Sequence, residues 1–468
     1  MNKNQTETRN MNRRSFLQFI CAQAAAGAVC GCETLNSFTP GRSCADGTPP
    51  NIVIIFADDL GYGDLGCFGH PTIKTPNLDR MAAEGMKFTQ FYAAASVCTP
   101  SRAALLTGRL PIRSGMCGSR RGVLFPDSVG GLPESEITIA SALKGRGYAA
   151  CCIGKWHLGH LRQYLPTARG FDYYFGIPYS NDMKPTPLMQ NEKTIEEPAE
   201  QSTLTKRYTQ QAVGFIEQNK NRPFFLYFAH TFPHVPLFAS DDFKDKSLRG
   251  LYGDVVEELD VSVGKILKTL RRYNLAEKTF VIFTSDNGPW LVKKLDGGSA
   301  GLLRGGKGTT WEGGMREPCI AWWPGKIKPG TVNTDLTCTM DIFATCLDLA
   351  AVPLPRDRVI DGVSMVSTLL GTGKCSRSTM FYYKGTRLMA VREGPWKAHF
   401  VTRTEDARQL QEHDPPLLFN LEQDPSEKYD VAADNPDIIA DIRRVVEQHR
   451  AALVPAVSQL DLVSQSSH

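Results

Sequence analysis

Asn51-Ile52-Val53-Ile54-Ile55-Phe56 is an unbroken apolar, β-branched run that leads into Asp58-Asp59. A run without polar alternation suits a strand covered on both faces, as in a parallel sheet with crossover helices packed on either side. Carboxylates released at its carboxyl end fall where open α/β sheets bind ligands. The same pattern recurs along the chain. From Ser135 to Lys144, Ile139 and Leu143 lie one turn apart before Gly145-Arg146-Gly147, which predicts a helix followed by a strand from Tyr148 to Ile153 that delivers Lys155-Trp156-His157. Tyr208, Ala212, Phe215 and Ile216 share one helical face between Thr205 and Lys220, and Pro223 then opens a strand from Phe224 to Ala229, with His230 and His234 beyond it. Val255, Val256, Leu259, Val263, Ile266, Leu267 and Leu270 form the core side of a longer helix. It leads to a strand from Thr279 to Thr284, closed by Asp286-Asn287-Gly288.

Helices alternating with buried strands specify an α/β fold with a parallel or mostly parallel sheet, because parallel neighbours need crossover connections. Four of its strands end in ionisable or metal-binding residues. The pattern changes after about residue 375. Met380 to Tyr383, Leu388 to Arg392, Trp396 to Val401 and Leu417 to Leu421 are short strand candidates between Gly and Pro turns, which predicts a smaller antiparallel sheet. A helix from Pro436 to Leu453 would cover it. Pro185 to Gln201 reads as a polar surface loop.

With 468 residues the chain is long enough for two domains. Its 53 basic and 49 acidic residues leave a formal charge of +4 without a clustered basic face, so no nucleic-acid partner is expected. Residues 1–32 read as an export signal: Arg13-Arg14-Ser15-Phe16-Leu17 and the apolar stretch to Val29 resemble a twin-arginine signal, and Val29-Cys30-Gly31-Cys32 resembles a lipobox with Cys32 acylated. Residues 33–48 are a linker, 49–375 a catalytic domain and 376–468 a C-terminal α+β subdomain. The expected location is the periplasm or, through a lipid anchor at Cys32, the cell envelope. Thirteen cysteines show no spacing of a disulfide framework or zinc ribbon; Cys151 and Cys152 would point to opposite faces of their strand.

The chemistry converges on Cys98-Thr99-Pro100-Ser101-Arg102, a thiol just before an apolar helix with Pro in its first turn. That end of a helix attracts anions. Asp58, Asp59, Asp286 and Asn287 offer oxygen ligands, which suit calcium or magnesium; a zinc site built on His157 and His160 lacks a third ligand of recognisable spacing. Arg102, Lys155, His157, His234 and Lys307 are basic groups near the same sheet edge. One cation, several basic side chains and a helix start match a sulfate or phosphate ester. Trp290, Trp322 and Trp323 are candidates for a sugar site, with core packing the default. His70 and His160 read as ordinary polar or partly buried histidines.

Cys98-Thr99-Pro100-Ser101-Arg102 with Leu106-Thr107-Gly108-Arg109 resembles the signature of the type I sulfatases, within the alkaline-phosphatase-like superfamily. The resemblance extends through Asp58-Asp59-Leu60-Gly61-Tyr62-Gly63, Gly154-Lys155-Trp156-His157-Leu158-Gly159 and Leu421-Glu422-Gln423-Asp424-Pro425-Ser426-Glu427. The stretch from Gly305 to Pro318 is similar to the branch of arylsulfatase A and N-acetylgalactosamine-6-sulfatase. The resemblance implies a large mixed sheet flanked by helices, with a small C-terminal antiparallel sheet plus helix. It implies that a maturation enzyme oxidises Cys98 to Cα-formylglycine, and that Asp58, Asp59, Asp286, Asn287 and the modified residue 98 hold the cation, usually calcium. In the implied reaction, one hydroxyl of the hydrated aldehyde attacks sulfur with Asp286 as base, His234 and Lys307 serve the leaving oxygen, and His157 takes the proton of the second hydroxyl. Arg102 and Lys155 orient the diol. The choice of His234 over a structural His230 is implied by the same resemblance, through Phe232-Pro233-His234-Val235-Pro236. The implied substrates are sulfated carbohydrates of galactose or N-acetylgalactosamine 6-sulfate type. A phosphomonoester or phosphonate hydrolase, or a non-catalytic binder of sulfated glycans, would carry many of the same residues.

Overall fold

Strand β1 (Asn51–Ala57) is buried at every position, as its unbroken apolar sequence requires. The computed structural model describes residues 49–403 and 410–464; the export signal, the lipobox-like cysteines and the linker to residue 48 lie outside them. β1 belongs to an 11-stranded sheet with β2 (Met86–Tyr92), β3 (Ala149–Gly154), β4 (Tyr173–Gly176), β5 (Leu188–Gln190), β6 (Lys193–Glu196), β7 (Phe224–Ala229), β8 (Thr279–Ser285), β9 (Arg316–Trp322), β10 (Thr331–Asn333) and β11 (Thr337–Cys338). The order is β10-β2-β9-β8-β1-β7-β3-β4-β5-β6, with β11 paired to β2. β8, β1, β7, β3 and β4 are parallel to one another.

The flanks depart from a parallel sheet. β9 runs antiparallel to both β8 and β2, and β5 and β6 pair antiparallel at the far edge. The sheet is mixed, and the stretch from Pro185 to Gln201 is a short hairpin rather than a plain loop. Its polarity follows from position, since β6 is largely exposed. β9 is hidden in sequence because it begins with Arg316-Glu317-Pro318, polar residues that are buried here.

Successive β1 side chains alternate between two cores, as the pleat dictates. Val53 and Ile55 pack with α1 (Pro76–Glu84), while Ile52, Ile54 and Phe56 pack with Ala103 and Leu106 of α2 (Cys98–Thr107). α3 (Leu204–Gln218) and α4 (Leu251–Arg272) share the first face, and α5 (Thr339–Leu349) shares the second. Cys151 and Cys152 divide between the same two cores, and all nine described cysteines are free thiols. α2 is buried along its whole length and begins at Cys98, one residue earlier than a thiol preceding the helix, with Val97 as its N-cap. It ends at Gly108 in the left-handed region (φ 68°), where a Cβ would stand 2.6 Å from the Phe343 ring; a side chain there is barred by backbone and neighbour alike. Trp322 and Trp323 are buried in the cores, so neither lines a sugar site.

The C-terminal sheet is an antiparallel meander of β12 (Thr379–Lys384), β13 (Arg387–Glu393), β14 (Trp396–Thr402) and β15 (Gln411–Asn420). Ile439, Ile442 and Val446 of α6 (Pro436–Ala452) pack in its core. A buried charge network joins this sheet to the large one. Lys397 Nζ lies 2.9 Å from Glu312 Oε1 and 3.0 Å from Glu427 Oε1, all three residues being fully buried. The Glu312 N–H donates to Glu427 Oε2 at 2.6 Å, and His399 Nε2 lies 2.7 Å from Glu427 Oε1. Two of the family-like stretches therefore meet in a structural joint.

Burial would push the Glu312 carboxyl up, but the charges of Lys397, Arg316 and Arg392 outweigh it and lower its pKa to about 2. The unfolded chain takes up this proton at about pH 4.3, so the stabilisation is whole above that pH and is lost as the pH falls toward 2. Urea midpoints measured from about pH 6 down to about pH 3 should fall more steeply in the wild type than in Glu312→Gln. Lys397→Met, which strips the cation from two buried carboxylates, should lose about 3 kcal/mol at neutral pH in the same titration.

Candidate active site

The four strands that end in chemically active residues are consecutive neighbours, β8-β1-β7-β3, so their carboxyl ends converge on one place. Lys155 Nζ, beyond β3, donates to Asp58 Oδ2 at 2.5 Å and to Ser180 Oγ at 3.2 Å. Arg102, on the first turns of α2, donates to Asp286 Oδ2 through Nε at 3.0 Å and Nη2 at 2.8 Å, and through Nη1 to the Lys155 carbonyl at 3.0 Å. Lys307 Nζ donates to Asp59 Oδ2 at 2.8 Å, and His234 Nε2 is 3.7 Å from the same oxygen. Asn287 Nδ2 donates to Asp59 Oδ1 at 2.7 Å. Cys98 Sγ and carboxylate oxygens of Asp58 and Asp286 lie within 4.8 Å of one another. Every residue predicted for the site is brought together.

The backbone is strained where this set is assembled. Asp59 (φ 64°) and His157 (φ 57°) occupy the left-handed region, an arrangement worth of order 1–3 kcal/mol of strain per residue that persists only where surroundings enforce it. Gly154 (φ 107°), which leads into Lys155, could not carry a Cβ: it would stand 1.7 Å from the Ala229 carbonyl oxygen.

Electrostatics follow from crowding and burial. Burial raises the Asp58 carboxyl, but Lys155 and then Arg102 hold it well below the usual carboxylate range. Burial, reinforced by the Asp58 charge, raises Asp286 to about 7 against the pull of Arg102. Burial likewise pushes the Cys98 thiol up, outweighing Lys155 and Lys307, which makes the unmodified thiol a poor nucleophile. Burial and the Lys307 charge push His234 well below its ordinary value, whereas the Asp59 charge raises Lys307 against burial. At rest His234 is neutral and Lys307 carries the charge.

Asp58 Oδ1 and Asn287 Oδ1 are buried with no hydrogen-bond partner. Buried acceptors are ordinarily satisfied, and oxygen donors crowded beside three carboxylates suit a hard divalent cation. Asp58, Asp59, Asp286 and Asn287 therefore fit such an ion. A third unpaired atom is His157 Nδ1. His157 Nε2 lies 2.9 Å from the Leu124 carbonyl, which can only accept, so Nε2 carries the proton and Nδ1 presents a lone pair.

The same reasoning fixes His234 through a residue that sequence patterns passed over. Asn181 Nδ2 donates to Gln201 Oε1 and the Pro236 carbonyl, both at 3.0 Å, which turns Asn181 Oδ1 toward His234 Nδ1 at 3.1 Å. Nδ1 also faces the Val235 carbonyl at 2.6 Å. Two acceptors place the proton on Nδ1 and leave Nε2 directed at the site. Ser180 and Asn181 are neutral residues in a segment without hydrophobic period, so only a structure could find them. Trp290 stands beside the site, its ring 5.4 Å from His234 and 4.3 Å from Lys307 Nζ. Of the histidines read as structural, His70 Nδ1 accepts from the Thr72 and Ile73 N–H groups, the buried His230 packs on Phe228 with neither ring nitrogen hydrogen-bonded, and the His160 ring lies 5.9 Å from that of Tyr179.

A carboxylate cluster, the buried cations Arg102 and Lys155, the nearly buried Lys307 and paired histidine lone pairs at the carboxyl edge of an α/β sheet suit a hydrolase of anionic esters. The sulfatase family matches residues 50–352, and the C-terminal region of aryl-sulfatase matches residues 375–468. The chain is 44% identical to N-acetylgalactosamine-6-sulfatase of Canis lupus familiaris, over 89% of each chain, and 44% identical to arylsulfatase A of Homo sapiens, over 85% of this chain and 87% of that one. Its fold is similar to the crystal structure of the sulfatase PsFucS1 from Pseudoalteromonas sp., with a TM-score of 0.80 at 31% identity over 86% of this chain and 90% of that one. The protein belongs to the sulfatase family and is a sulfuric ester hydrolase with the large mixed sheet of the alkaline-phosphatase-like fold.

Calcium or magnesium added to chelator-treated protein should raise its melting temperature, by about 2.7 kcal/mol of stabilisation at a hundred times the dissociation constant. Asn287→Ala should weaken this response, and Asp58→Asn should remove it.

Proposed function

We propose that this sulfatase hydrolyses sulfated carbohydrates, of the galactose or N-acetylgalactosamine 6-sulfate type, through a Cα-formylglycine formed from Cys98 by a maturation enzyme. The names of the relatives support the sugar class: one is an N-acetylgalactosamine-6-sulfatase. Calcium is the proposed ion, held by Asp58, Asp59, Asp286, Asn287 and residue 98, with magnesium the alternative. Residues 49–375 form the catalytic domain and 376–468 the C-terminal subdomain, preceded by the export signal at 1–32 and linker at 33–48. Among the described residues no helix is long and apolar enough to cross a membrane, and a membrane contact would run through Cys32 alone. Export to the periplasm or envelope rests on the sequence of the signal.

The observation that carries this reading is the cluster of Cys98 Sγ with carboxylate oxygens of Asp58 and Asp286 within 4.8 Å of one another, together with the buried and unpartnered Asp58 Oδ1, Asn287 Oδ1 and His157 Nδ1. A hydrated formylglycine would supply one hydroxyl to attack sulfur and a second whose deprotonation expels sulfate, while the cation would neutralise charge on the ester oxygens. Arg102, pinned by Asp286 and the Lys155 carbonyl, keeps a fixed positive charge beside residue 98. Lys155, held by Asp58 and Ser180, does the same. Lys307 presents its ammonium to the leaving oxygen. An anionic ester next to His234 Nε2 favours protonation there, so this histidine can pass a proton to the departing alcohol. His157 accepts a proton at Nδ1, while its Nε2–H stays fixed on Leu124. Both histidines thus enter with the required tautomer already set.

Protein co-expressed with a formylglycine-generating enzyme should hydrolyse an aryl sulfate faster than the matching aryl phosphate; faster phosphate turnover would assign it to phosphate or phosphonate ester hydrolysis. Cys98→Ala should abolish turnover; a non-catalytic glycan binder would show none in the matured wild type either. His234→Ala and Lys307→Ala should each lower kcat by about a hundred-fold to ten-thousand-fold, the range of positioned acid–base groups.

A further inference from the structure

Lys307 sits in Gly305-Gly306-Lys307-Gly308, a stretch whose glycines give the backbone little stiffness of its own. An ammonium that must meet a leaving oxygen needs a fixed place, since a displacement of about 1 Å can cost about a hundred-fold in rate. The fixing comes from outside the loop. The Lys307 N–H donates to the Pro289 carbonyl at 2.9 Å, and the Gly308 N–H donates to the Ser96 carbonyl at 2.8 Å. Pro289 lies just beyond the Asp286-Asn287 pair, and Ser96 just before Cys98. The Gly308 carbonyl accepts from Lys384 Nζ at 2.6 Å. Successive peptide groups around Lys307 are therefore gripped by the loop beyond β8, by the chain leading into α2 and by the C-terminal sheet.

Lys384 stands apart in this set. It is the last residue of β12, where the chain turns through Gly385 (φ 57°) toward β13, and a Cβ on Gly385 would stand 2.4 Å from the Gly118 carbonyl oxygen. The hairpin is closely seated, so Lys384 reaches out from a fixed base. Its ammonium is half-buried and meets no carboxylate among the described residues; the Gly308 carbonyl is its hydrogen-bond partner. Burial and the Arg403 charge lower its pKa to about 8. A cation kept in such surroundings costs stability, and an apolar residue would pack there without that cost. The Lys307 loop has a second tie to the same sheet, from Lys397 Nζ to the Thr310 carbonyl at 2.8 Å, but that lysine also neutralises Glu312 and Glu427. Lys384 serves no such ion pair.

We propose that Lys384 is a positioning residue for Lys307: by holding the Gly308 carbonyl it sets where the Lys307 ammonium meets the leaving oxygen, so that the C-terminal sheet fits the reaction to poor leaving groups. The proposal rests on the role given to Lys307 in the sulfatase reading and adds the residue that places it. Stabilising charge on the departing oxygen matters most where that oxygen is a strong base. Sugar alcohols therefore depend on it more than nitrophenols do.

The test is kcat and KM of the matured full chain over a series of aryl sulfates, from nitrophenyl to unsubstituted phenyl sulfate. Lys384→Met removes the donor and keeps most of the stem. It should lower kcat at least about tenfold on phenyl sulfate and no more than about threefold on nitrophenyl sulfate, with KM little changed. Lys384→Arg, which can still donate to the carbonyl, should restore most of the loss. Lys307→Ala should show the same leaving-group trend more steeply, and adding Lys384→Met to it should cost less than about twofold, because both substitutions act on one interaction. Should the methionine variant not melt cooperatively near the wild type, Lys384→Gln replaces it in the same series. No loss in Lys384→Met, a loss equal across leaving groups, or one that adds in full to that of Lys307→Ala overturns the proposal and leaves the sulfatase reading standing. A Lys307→Ala loss without a leaving-group trend overturns the role of Lys307 and the proposal with it, whereas a failure of the sulfatase reading shows as no aryl sulfate hydrolysis by the matured wild type.

Discussion

Asp58 accepts from Lys155 at 2.5 Å while its neighbour across the sheet, Asp286, accepts twice from Arg102. Three of these four residues directly follow β1, β3 and β8 and the fourth lies near the start of α2, and none is exposed to water. Removing one partner would leave its counterpart charged and dry, a penalty of about 3–5 kcal/mol. The pairs therefore fix the spacing of three strand ends and one helix. The strained backbone of Asp59 and His157 is held within the same frame. Preorganised charge of this kind stabilises a transition state without rearrangement during the reaction.

Adjacency of β8, β1, β7 and β3 is what turns four scattered motifs into one site. Each motif was legible in sequence, because an apolar run buried on both faces has a strong pattern and a polar ending that stands out against it. Their order across the sheet was not legible: nothing in Asn51 to Phe56 states that Phe224 to Ala229 lies on one side and Thr279 to Thr284 on the other. The sheet's mixed character agrees with what the family resemblance implies, but its antiparallel flanks are not legible in the residue pattern itself, for a related reason. β9 opens with Arg, Glu and Pro, and β6 is exposed, so neither displays the periodicity of a buried strand.

Site residues divide in the same way. Groups with charge or a distinctive chemistry, such as Cys98, Arg102 and Lys307, were found from sequence, aided by the family-like signature. Those acting through a backbone carbonyl or a neutral amide were not: the Leu124 carbonyl sets the His157 tautomer, and Asn181 sets that of His234. Conversely, the family-like stretch ending at Glu427, and Glu312 within another such stretch, serve the joint between the two sheets rather than the chemistry. A signature residue can owe its place to packing as readily as to catalysis.

The central claim concerns the atom that attacks sulfur. Buried as a thiol, Cys98 has a raised pKa and no second group with which to expel sulfate; as the proposed hydrated aldehyde it would offer two hydroxyls beside the carboxylates of Asp58 and Asp286. Mass spectrometry of the peptide spanning residue 98, taken from active protein, tests this most directly. The account predicts the lower mass of formylglycine relative to cysteine, in proportion to specific activity across preparations. Full activity in protein whose residue 98 remains an unmodified cysteine would contradict it.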